Sequence, residues 1–189
     1  MRLRFGILAT TLAGMTLGLP VEANASQAAN KIAEIFNVLG AEAIPPQVVI
    51  WRHPQYKRGD VVVSTTHRRL YYVLGRGQAI EYGVGVGRTG FTWSGVKTVT
   101  RKREWPDWTP PTAMLKRRPD IPHHMAGGAD NPLGARALYL GSSEYRIHGS
   151  NEQDTIGTAV SSGCIRMTNR DVVDLYNRVK VGAKVVVLD

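Results

Sequence analysis

The sequence predicts a mainly β, sandwich-like domain with one helix near its C-terminal end and a short helix near its N-terminal end. Twenty glycines and ten prolines in 189 residues favour a turn-rich domain over a helical bundle. Leu70, Tyr72 and Leu74 alternate with their neighbours, and residues 185–187 form a short valine run. Both patterns are typical of β-strands, the first half-buried and the second buried on both faces.

The first helix is predicted from apolar residues that recur with helical spacing and end near Gly40. These residues are Ile32, Ile35, Phe36 and Leu39. Pro45 and Pro46 end the helix, and residues 47–51 form either a first strand or an extended linker.

A β-hairpin is predicted next. Residues 61–63 begin the β pattern, and the turn at residues 75–77 leads the chain from one alternating run into a second, residues 79–86. Gly83, Gly85 and Gly87 leave one face of the second run without side chains, which lets another backbone or a substrate approach closely. A nucleotide site is a weaker interpretation, because these glycines lack the spacing and the following helix that a phosphate site needs.

The second half predicts further strands and helices. Residues 98–105 form a strand, and residues 112–118 form one helical turn before a proline. Residues 137–140 and 145–148 form two strands around a turn at residues 141–143.

The C-terminal helix is predicted over residues 169–179. Thr168 and Asp171 have the spacing of a capping box. Gly182 then turns the chain into a closing strand, residues 184–188.

The N-terminus reads as an export signal. Two arginines precede an apolar run of about 15 residues, shorter than the ~20 residues of a membrane-spanning helix, and residues 23–25 have the small-x-small form of a cleavage site. We therefore expect a cleaved signal peptide at residues 1–25, an extension or linker at 26–59 and a folded domain at 60–189. No stable membrane span is expected, and the mature protein is expected outside the cytoplasm.

The charge pattern bears on the partner. Formal net charge is +9, and removal of residues 1–25 takes away two arginines and one glutamate, leaving +8. Basic residues interleaved with tryptophan around residues 102–118 are also found in nucleic-acid-binding proteins, but the export signal argues against nucleic acid. An acidic envelope polymer fits this charge better. Alternatively, the charges only keep the protein soluble.

Cys164 and His148 are the candidate catalytic pair. A thiol becomes a nucleophile when a nearby imidazole takes its proton, and the 16-residue separation suits two adjacent strand ends joined by a loop. Ile147 is expected to face the core, which turns His148 toward a cleft on the other side. A lone cysteine in an exported protein is a free reactive thiol, a partner in an intermolecular disulfide, or a buried apolar residue. The flanking Ser161, Ser162 and Gly163 argue against burial.

Adjacent His123 and His124 raise a zinc hypothesis, with His148 and Cys164 as further ligands. Neighbouring residues of an extended chain point in opposite directions, and no spaced ligand motif supports a closed site. We therefore predict no metal and no cofactor.

The order His148-Gly149, then a loop, then Ser161-Ser162-Gly163-Cys164-Ile165-Arg166-Met167 resembles the active-site signature of the L,D-transpeptidases, the YkuD-type cell-wall enzymes. The resemblance extends from about Val61 to the C-terminus and implies the YkuD fold, a catalytic domain at residues 60–189 and a location in the periplasm or cell envelope. One departure is Thr92-Trp93-Ser94-Gly95, where the family usually has proline second.

The resemblance implies roles for individual residues. Cys164 is the nucleophile, His148 exchanges its proton, and the backbone carbonyl of Gly149 orients the imidazole. The expected oxyanion hole consists of backbone N–H groups, those of Ser162, Gly163 and Cys164. The expected substrate-binding residues are Ser161, Arg166, His124 and Asn131, with a structural ion pair as the alternative for Arg166.

The resemblance also implies a substrate, the tetrapeptide stem of peptidoglycan, cleaved before the D-Ala at its fourth position. The acyl group then passes to an amine of another stem, giving a 3–3 crosslink, or to an outer-membrane lipoprotein. Two alternatives remain open. One is an L,D-carboxypeptidase or cell-wall amidase that hydrolyses the same bond, and the other is a non-catalytic envelope-binding module.

Overall fold

The computed structural model of the protein describes residues 45–189. The predicted signal peptide and the predicted N-terminal helix lie outside these residues. Within residues 45–189 the chain forms strands, two α-helices and a 3-10 helix at Gln153–Thr155. The mainly β prediction is confirmed.

The strands of the first half are short and closely spaced. They are β1 (Gln47–Ile50), β2 (Val61–Ser64), β3 (Arg69–Gly75), β4 (Gln78–Gly83), β5 (Val86–Gly87) and β6 (Gly95–Glu104). The second half contains α1 (Thr112–Arg117), β7 (Arg136–Leu140), β8 (Arg146–His148), β9 (Ala159–Ser161), β10 (Ile165–Arg166), α2 (Asn169–Arg178) and β11 (Lys184–Leu188).

Within the described part of the chain, nine strands form one mixed sheet in the order β1-β4-β3-β2-β11-β6-β7-β8-β10, and β5 pairs with β9 separately. The predicted hairpin is β3 and β4, and the predicted pair around residues 141–143 is β7 and β8. β1 pairs with β4 from Gln47–Glu81 to Ile50–Gln78, so of the two predictions for this segment, a first strand or a linker, the structure has the strand.

One hydrophobic core lies between the sheet and α2. It contains side chains from both halves of the sheet, among them Val63, Tyr82, Leu138, Ile165 and Val187. The predicted cap of α2 is confirmed, because the Thr168 side chain accepts a hydrogen bond from the Asp171 N–H at 3.1 Å. Helix α2 packs on β7, and so it supports the strands that lead to His148.

Close backbone approach occurs at Gly85, as the alternating glycines predicted. The backbone of Gly85 exchanges two hydrogen bonds with that of Arg166, at 2.8 and 2.9 Å. A Cβ at Gly85 would lie 2.8 Å from the carbonyl oxygen of Thr155, too near for any side chain. No helix within residues 45–189 has the length and apolar content needed to cross a bilayer.

Candidate active site

Two adjacent parallel strands, β8 and β10, bring the candidate catalytic residues together. Ile165 lies opposite Ile147 and Arg166 lies opposite His148. Both isoleucines are buried in the core, so the alternate residues face the other side of the sheet. The predicted direction of His148 follows from this alternation.

That other side is the floor of a cavity of about 350 Å³. Cys164 and His148 both line it. Its wall is formed by residues from β8, β9, the loop before β10, α1 and the loop before β7, among them Met114, Pro132, Leu133, Tyr145, Arg146 and Ser162. The structure therefore joins the two predicted residues in one recess that a ligand can enter.

His148 is almost fully buried, and its Nδ1 lies 2.5 Å from the carbonyl oxygen of Gly149, the partner expected to orient it. Because a carbonyl oxygen only accepts, Nδ1 carries the hydrogen in this arrangement and Nε2 keeps its lone pair. Burial lowers the pKa of His148 to about 3, and the charge of Arg166 acts in the same direction. The imidazole is therefore neutral at pH 7, the form that a general base requires.

The backbone turn at Gly149, directly after His148, packs against Asn169 at the start of α2. Asn169 accepts a hydrogen bond from the Ala135 N–H at 2.8 Å and donates one to the Ser150 carbonyl at 3.1 Å. A Cβ at Gly149 would overlap the Asn169 side chain. Glycine is therefore required for the turn that presents the orienting carbonyl.

The Cys164 thiol donates a weak hydrogen bond to the carbonyl oxygen of Glu144 at 3.7 Å. Burial raises the pKa of the Cys164 thiol, while the nearby Arg146 charge opposes this effect. Cysteine and histidine are therefore both neutral in the free protein. The thiol has to leave the Glu144 carbonyl before the imidazole can take its proton.

The loop that carries the cysteine is fixed by its own hydrogen bonds. The Ser161 hydroxyl donates to the Cys164 carbonyl at 2.6 Å and accepts from the Gly163 N–H at 3.0 Å. Trp93 donates from Nε1 to the Gly163 carbonyl at 2.8 Å, and its ring stacks on Tyr145 with centroids 4.6 Å apart. Gly163 adopts a φ of 106°, a conformation that side chains disfavour.

The hydrogen bonds of the cysteine loop determine which of its N–H groups are free to form the expected oxyanion hole. The Gly163 N–H is already bonded to Ser161, so it can serve an oxyanion only if that hydroxyl releases it. Among residues 45–189, the Ser162 and Cys164 N–H groups have no protein acceptor. Of the three predicted donors, these two are therefore available in the free protein.

The residues expected to bind substrate differ in where they lie. Ser161 and Arg166 line the cavity. The Ser161 hydroxyl is used within the cysteine loop, and Arg166 forms an ion pair with Glu152 at 2.8 Å, the alternative foreseen for it.

His124 and Asn131 do not line the cavity. His124 is exposed, with Nε2 4.0 Å from an Asp107 carboxylate oxygen. Asn131 is buried, and its amide bonds to the Met125 and Ala126 carbonyls and to the Leu133 N–H. Asn131 closes the loop that places Leu133 in the cavity wall, so it shapes the site without reaching it.

Arg146, Tyr145 and Trp93 belong to the site although sequence reasoning did not assign them. Arg146 precedes His148 by two residues on one strand, so strand alternation alone could have placed it on the cavity face. Trp93 was visible only as a departure from the family pattern. Within residues 45–189, no group of three or more His, Cys, Asp and Glu side chains has the geometry of a metal site.

The fold and the site together define a class of β domains in which a cysteine and a histidine share one cavity at the ends of adjacent parallel strands. The sequence of residues 58–187 matches the YkuD family, the L,D-transpeptidase catalytic domain. The chain therefore belongs to the L,D-transpeptidase family.

The curated relatives include proteins from Escherichia coli K12. The protein described as "Probable L,D-transpeptidase ErfK/SrfK" is 37% identical over 155 residues, 77% of this chain and 48% of the relative. The protein described as "Probable L,D-transpeptidase YbiS" is 34% identical over 155 residues, with 77% and 49% covered. This chain spans about half the length of these relatives.

Among solved structures, L,D-transpeptidase 3 from Mycobacterium tuberculosis has a TM-score of 0.54 at 17% identity, covering 68% of this chain and 60% of that one. At this identity the comparison supports the fold alone. It agrees with the family assignment from sequence.

Proposed function

We propose that this chain is an L,D-transpeptidase that acts on peptidoglycan tetrapeptide stems through a cysteine thioester. The observation that carries the proposal is the cavity that Cys164 and His148 both line, with the Gly149 carbonyl bonded to Nδ1 of the imidazole. Family membership supports the same reaction and the same substrate.

In the first half-reaction, Nε2 of His148 takes the thiol proton as Cys164 attacks the carbonyl carbon of the third stem residue. The Cys164 N–H, with that of Ser162, stabilises the oxyanion of the tetrahedral intermediate, and loss of one such donor typically costs ~10²–10³ in rate. The C–N bond then breaks, and the imidazolium returns its proton to the amine of D-Ala. A thioester remains on Cys164.

In the second half-reaction, an acceptor amine attacks the thioester and passes a proton to His148. The amide forms, the carbon–sulfur bond breaks and the thiol is regenerated. The acceptor is a neighbouring stem, which gives a 3–3 crosslink, or an outer-membrane lipoprotein. Water as the acceptor would make the enzyme a carboxypeptidase.

The proposal includes export to the periplasm or cell envelope by a signal peptide at residues 1–25. Support comes from the sequence of that segment and from the location of the polymer. The basic chain, with a net charge of +9, suits the carboxylates of peptidoglycan stems.

The test incubates purified protein with disaccharide-tetrapeptides and identifies the products by mass, beside the Cys164→Ala variant. Loss of D-Ala together with crosslinked dimers is expected from the wild type, and neither product from the variant. A mass increase on Cys164 after carbapenem treatment provides a second readout of an acylable thiol. Crosslinking that persists in Cys164→Ala would refute the proposal, and shortened stems without dimers would favour the hydrolase.

A further inference from the structure

Three arginines line the cavity within residues 45–189, and they differ in their partners. Arg118 pairs with Asp120 at 2.6 Å, and Arg166 pairs with Glu152 at 2.8 Å. Arg146 takes part in none of the ion pairs among the described residues. Its Nε is buried without a hydrogen-bond acceptor there. Arg146 is thus the cation of this cavity whose charge is not matched by a carboxylate.

The position of Arg146 relative to the nucleophile follows from strand register. Ile147 lies opposite Ile165 in the parallel pair, so the residues just before them, Arg146 and Cys164, are close together, and the Arg146 charge opposes the burial that raises the pKa of the Cys164 thiol. The guanidinium carbon lies 5.3 Å from the centroid of the Tyr139 ring, a cation–π contact that supplies no carboxylate to match the charge. An unmatched guanidinium therefore stands beside the sulfur.

The proposed substrate carries a carboxylate close to its scissile bond, on the leaving residue. In a tetrapeptide stem the leaving residue is the last one, so only its nitrogen and Cα separate the scissile carbonyl carbon from the terminal carboxylate carbon. A cation that binds this carboxylate therefore has to lie near the attacking sulfur, on the side of the leaving residue. Arg146 meets this condition, and a guanidinium can bind a carboxylate through two parallel N–H donors.

We propose that Arg146 binds the terminal carboxylate of the leaving D-amino acid and so selects stems that end immediately after the scissile bond. This inference rests on the proposed function and adds a specificity determinant to it. The carboxylate is not altered in the reaction, and it departs with the released amino acid. Binding of the carboxylate also supplies the partner that the partly buried guanidinium lacks, which offsets its desolvation.

The experiment compares two substrates within each protein: the tetrapeptide with a free C-terminal carboxylate and the same peptide as the C-terminal amide. The readout is the ratio of the two kcat/KM values. A smaller folded fraction lowers both values equally and therefore does not change their ratio. The variants are Arg146→Gln and Arg146→Lys. Arg101→Gln is the matched control, because it removes a guanidinium from the same Tyr139 ring, 3.9 Å from its centroid, outside the cavity lining.

The wild type and Arg101→Gln are expected to prefer the free acid by at least about 10-fold, the range of a charged hydrogen bond. Arg146→Gln is expected to lower this preference to within about twofold, and Arg146→Lys to retain part of it. An unchanged preference in Arg146→Gln, or equal use of acid and amide by the wild type, would overturn the inference.

Failure of the proposed function gives a different result. If no protein releases D-Ala from the acid or D-alaninamide from the amide, binding to Cys164→Ala and to Cys164→Ala with Arg146→Gln is measured by calorimetry. If Cys164→Ala binds the acid more tightly than the amide and the double variant does not, the Arg146 inference is supported even though the proposed reaction is rejected. Equal binding of acid and amide to Cys164→Ala rejects the inference as well.

Discussion

The buried imidazole of His148 sets both the chemistry and the acid stability of the domain. Its Nδ1 is bonded to a backbone carbonyl rather than to a carboxylate, so no negative charge compensates a positive ring. Protonation is therefore unfavourable in the folded state, while it is ordinary in the unfolded chain. Acid is expected to weaken the fold through this one group.

The pKa of His148 is about 3 in the folded protein and 6.5 in the reference state, and these two values set the direction and the pH range of the effect on stability. Between these values the unfolded chain binds the extra proton, so the free energy of unfolding falls as pH falls, by about 1.4 kcal/mol per pH unit at most. Urea unfolding at intervals from pH 7 to pH 4 measures this slope. His148→Gln is expected to flatten it, and the exposed His124→Gln to leave it as in the wild type. Equal slopes in all three proteins would contradict the explanation.

At this scale the sequence predicted the positions of the candidate catalytic residues better than it predicted their contacts. Cys164, His148 and the Gly149 carbonyl were recognisable because the motif is local and strand alternation fixes which side a residue faces. The ion pair of Arg166 with Glu152 depends on how a 3-10 turn folds back over β10, and no spacing in the sequence encodes that contact.

The cysteine loop between β9 and β10 is the element that carries Cys164, the candidate nucleophile. Ser161, which lies at the start of the loop, hydrogen-bonds to its backbone. Trp93, from a distant part of the chain, also donates a hydrogen bond to the loop backbone, and its indole stacks on Tyr145. A Cβ at Gly163 would lie 2.5 Å from a ring carbon of Tyr145, so the aromatic pair packs directly on the loop. Trp93, which departs from the family pattern, supplies both the stacking surface and the hydrogen bond.

Trp93→Phe separates these two contributions, since it keeps an aromatic ring for the stack and removes the donor to the Gly163 carbonyl. Carbapenem acylation of Cys164 is expected to slow by about 3–10-fold, in line with the ~1 kcal/mol of a typical hydrogen bond. The rate is measured by following the adduct mass over time.

Trp51→Phe is the matched control, because the Trp51 Nε1 has no acceptor within residues 45–189. Its acylation rate is expected to equal that of the wild type. A wild-type rate for Trp93→Phe would show that the indole donor does not hold the loop in its reactive shape.

Elements with strong local signals were predictable. The β3–β4 hairpin, the capped helix α2 and strand β11 follow from alternation, a capping box and a valine run. β1 was left open between strand and linker, because residues 47–50 become a strand only by pairing with β4, about 30 residues later in the chain. The role of Trp93 likewise required contacts across about 70 residues.

At the scale of the whole molecule, β11 joins the two halves of the sheet. It pairs in parallel with β2 on one side and antiparallel with β6 on the other. Strands β7, β8 and β10, which lead to the site, lie beyond β6, and β3, β4 and β1 lie beyond β2. The strand order was not predictable from the sequence, because a valine run predicts a buried strand but does not indicate which strands pair with it.

Val187 and the next residue, Leu188, provide a paired test of this junction. Val187 is 1% exposed and belongs to the core, whereas the Leu188 side chain is 40% exposed. Val187→Asp places an unpaired charge in the core at a cost of several kcal/mol, comparable with the whole stability of a domain. We expect it to unfold the protein, and Leu188→Asp to remain folded with near-wild-type acylation of Cys164. Circular dichroism and the carbapenem adduct measure the two outcomes, and a folded, reactive Val187→Asp would contradict the central place of β11.

The place of β11 has a consequence for the order of folding. β2 and β11 pair although about 120 residues separate them along the chain, and without β11 the facing edges of β2 and β6 have no strand between them. Such non-local pairing is slow, so we expect this junction of the sheet to form late in folding. The strands next to Cys164 and His148 lie on the β6 side of the junction, and we expect the cavity to take its final shape only after residues 184–188 have paired.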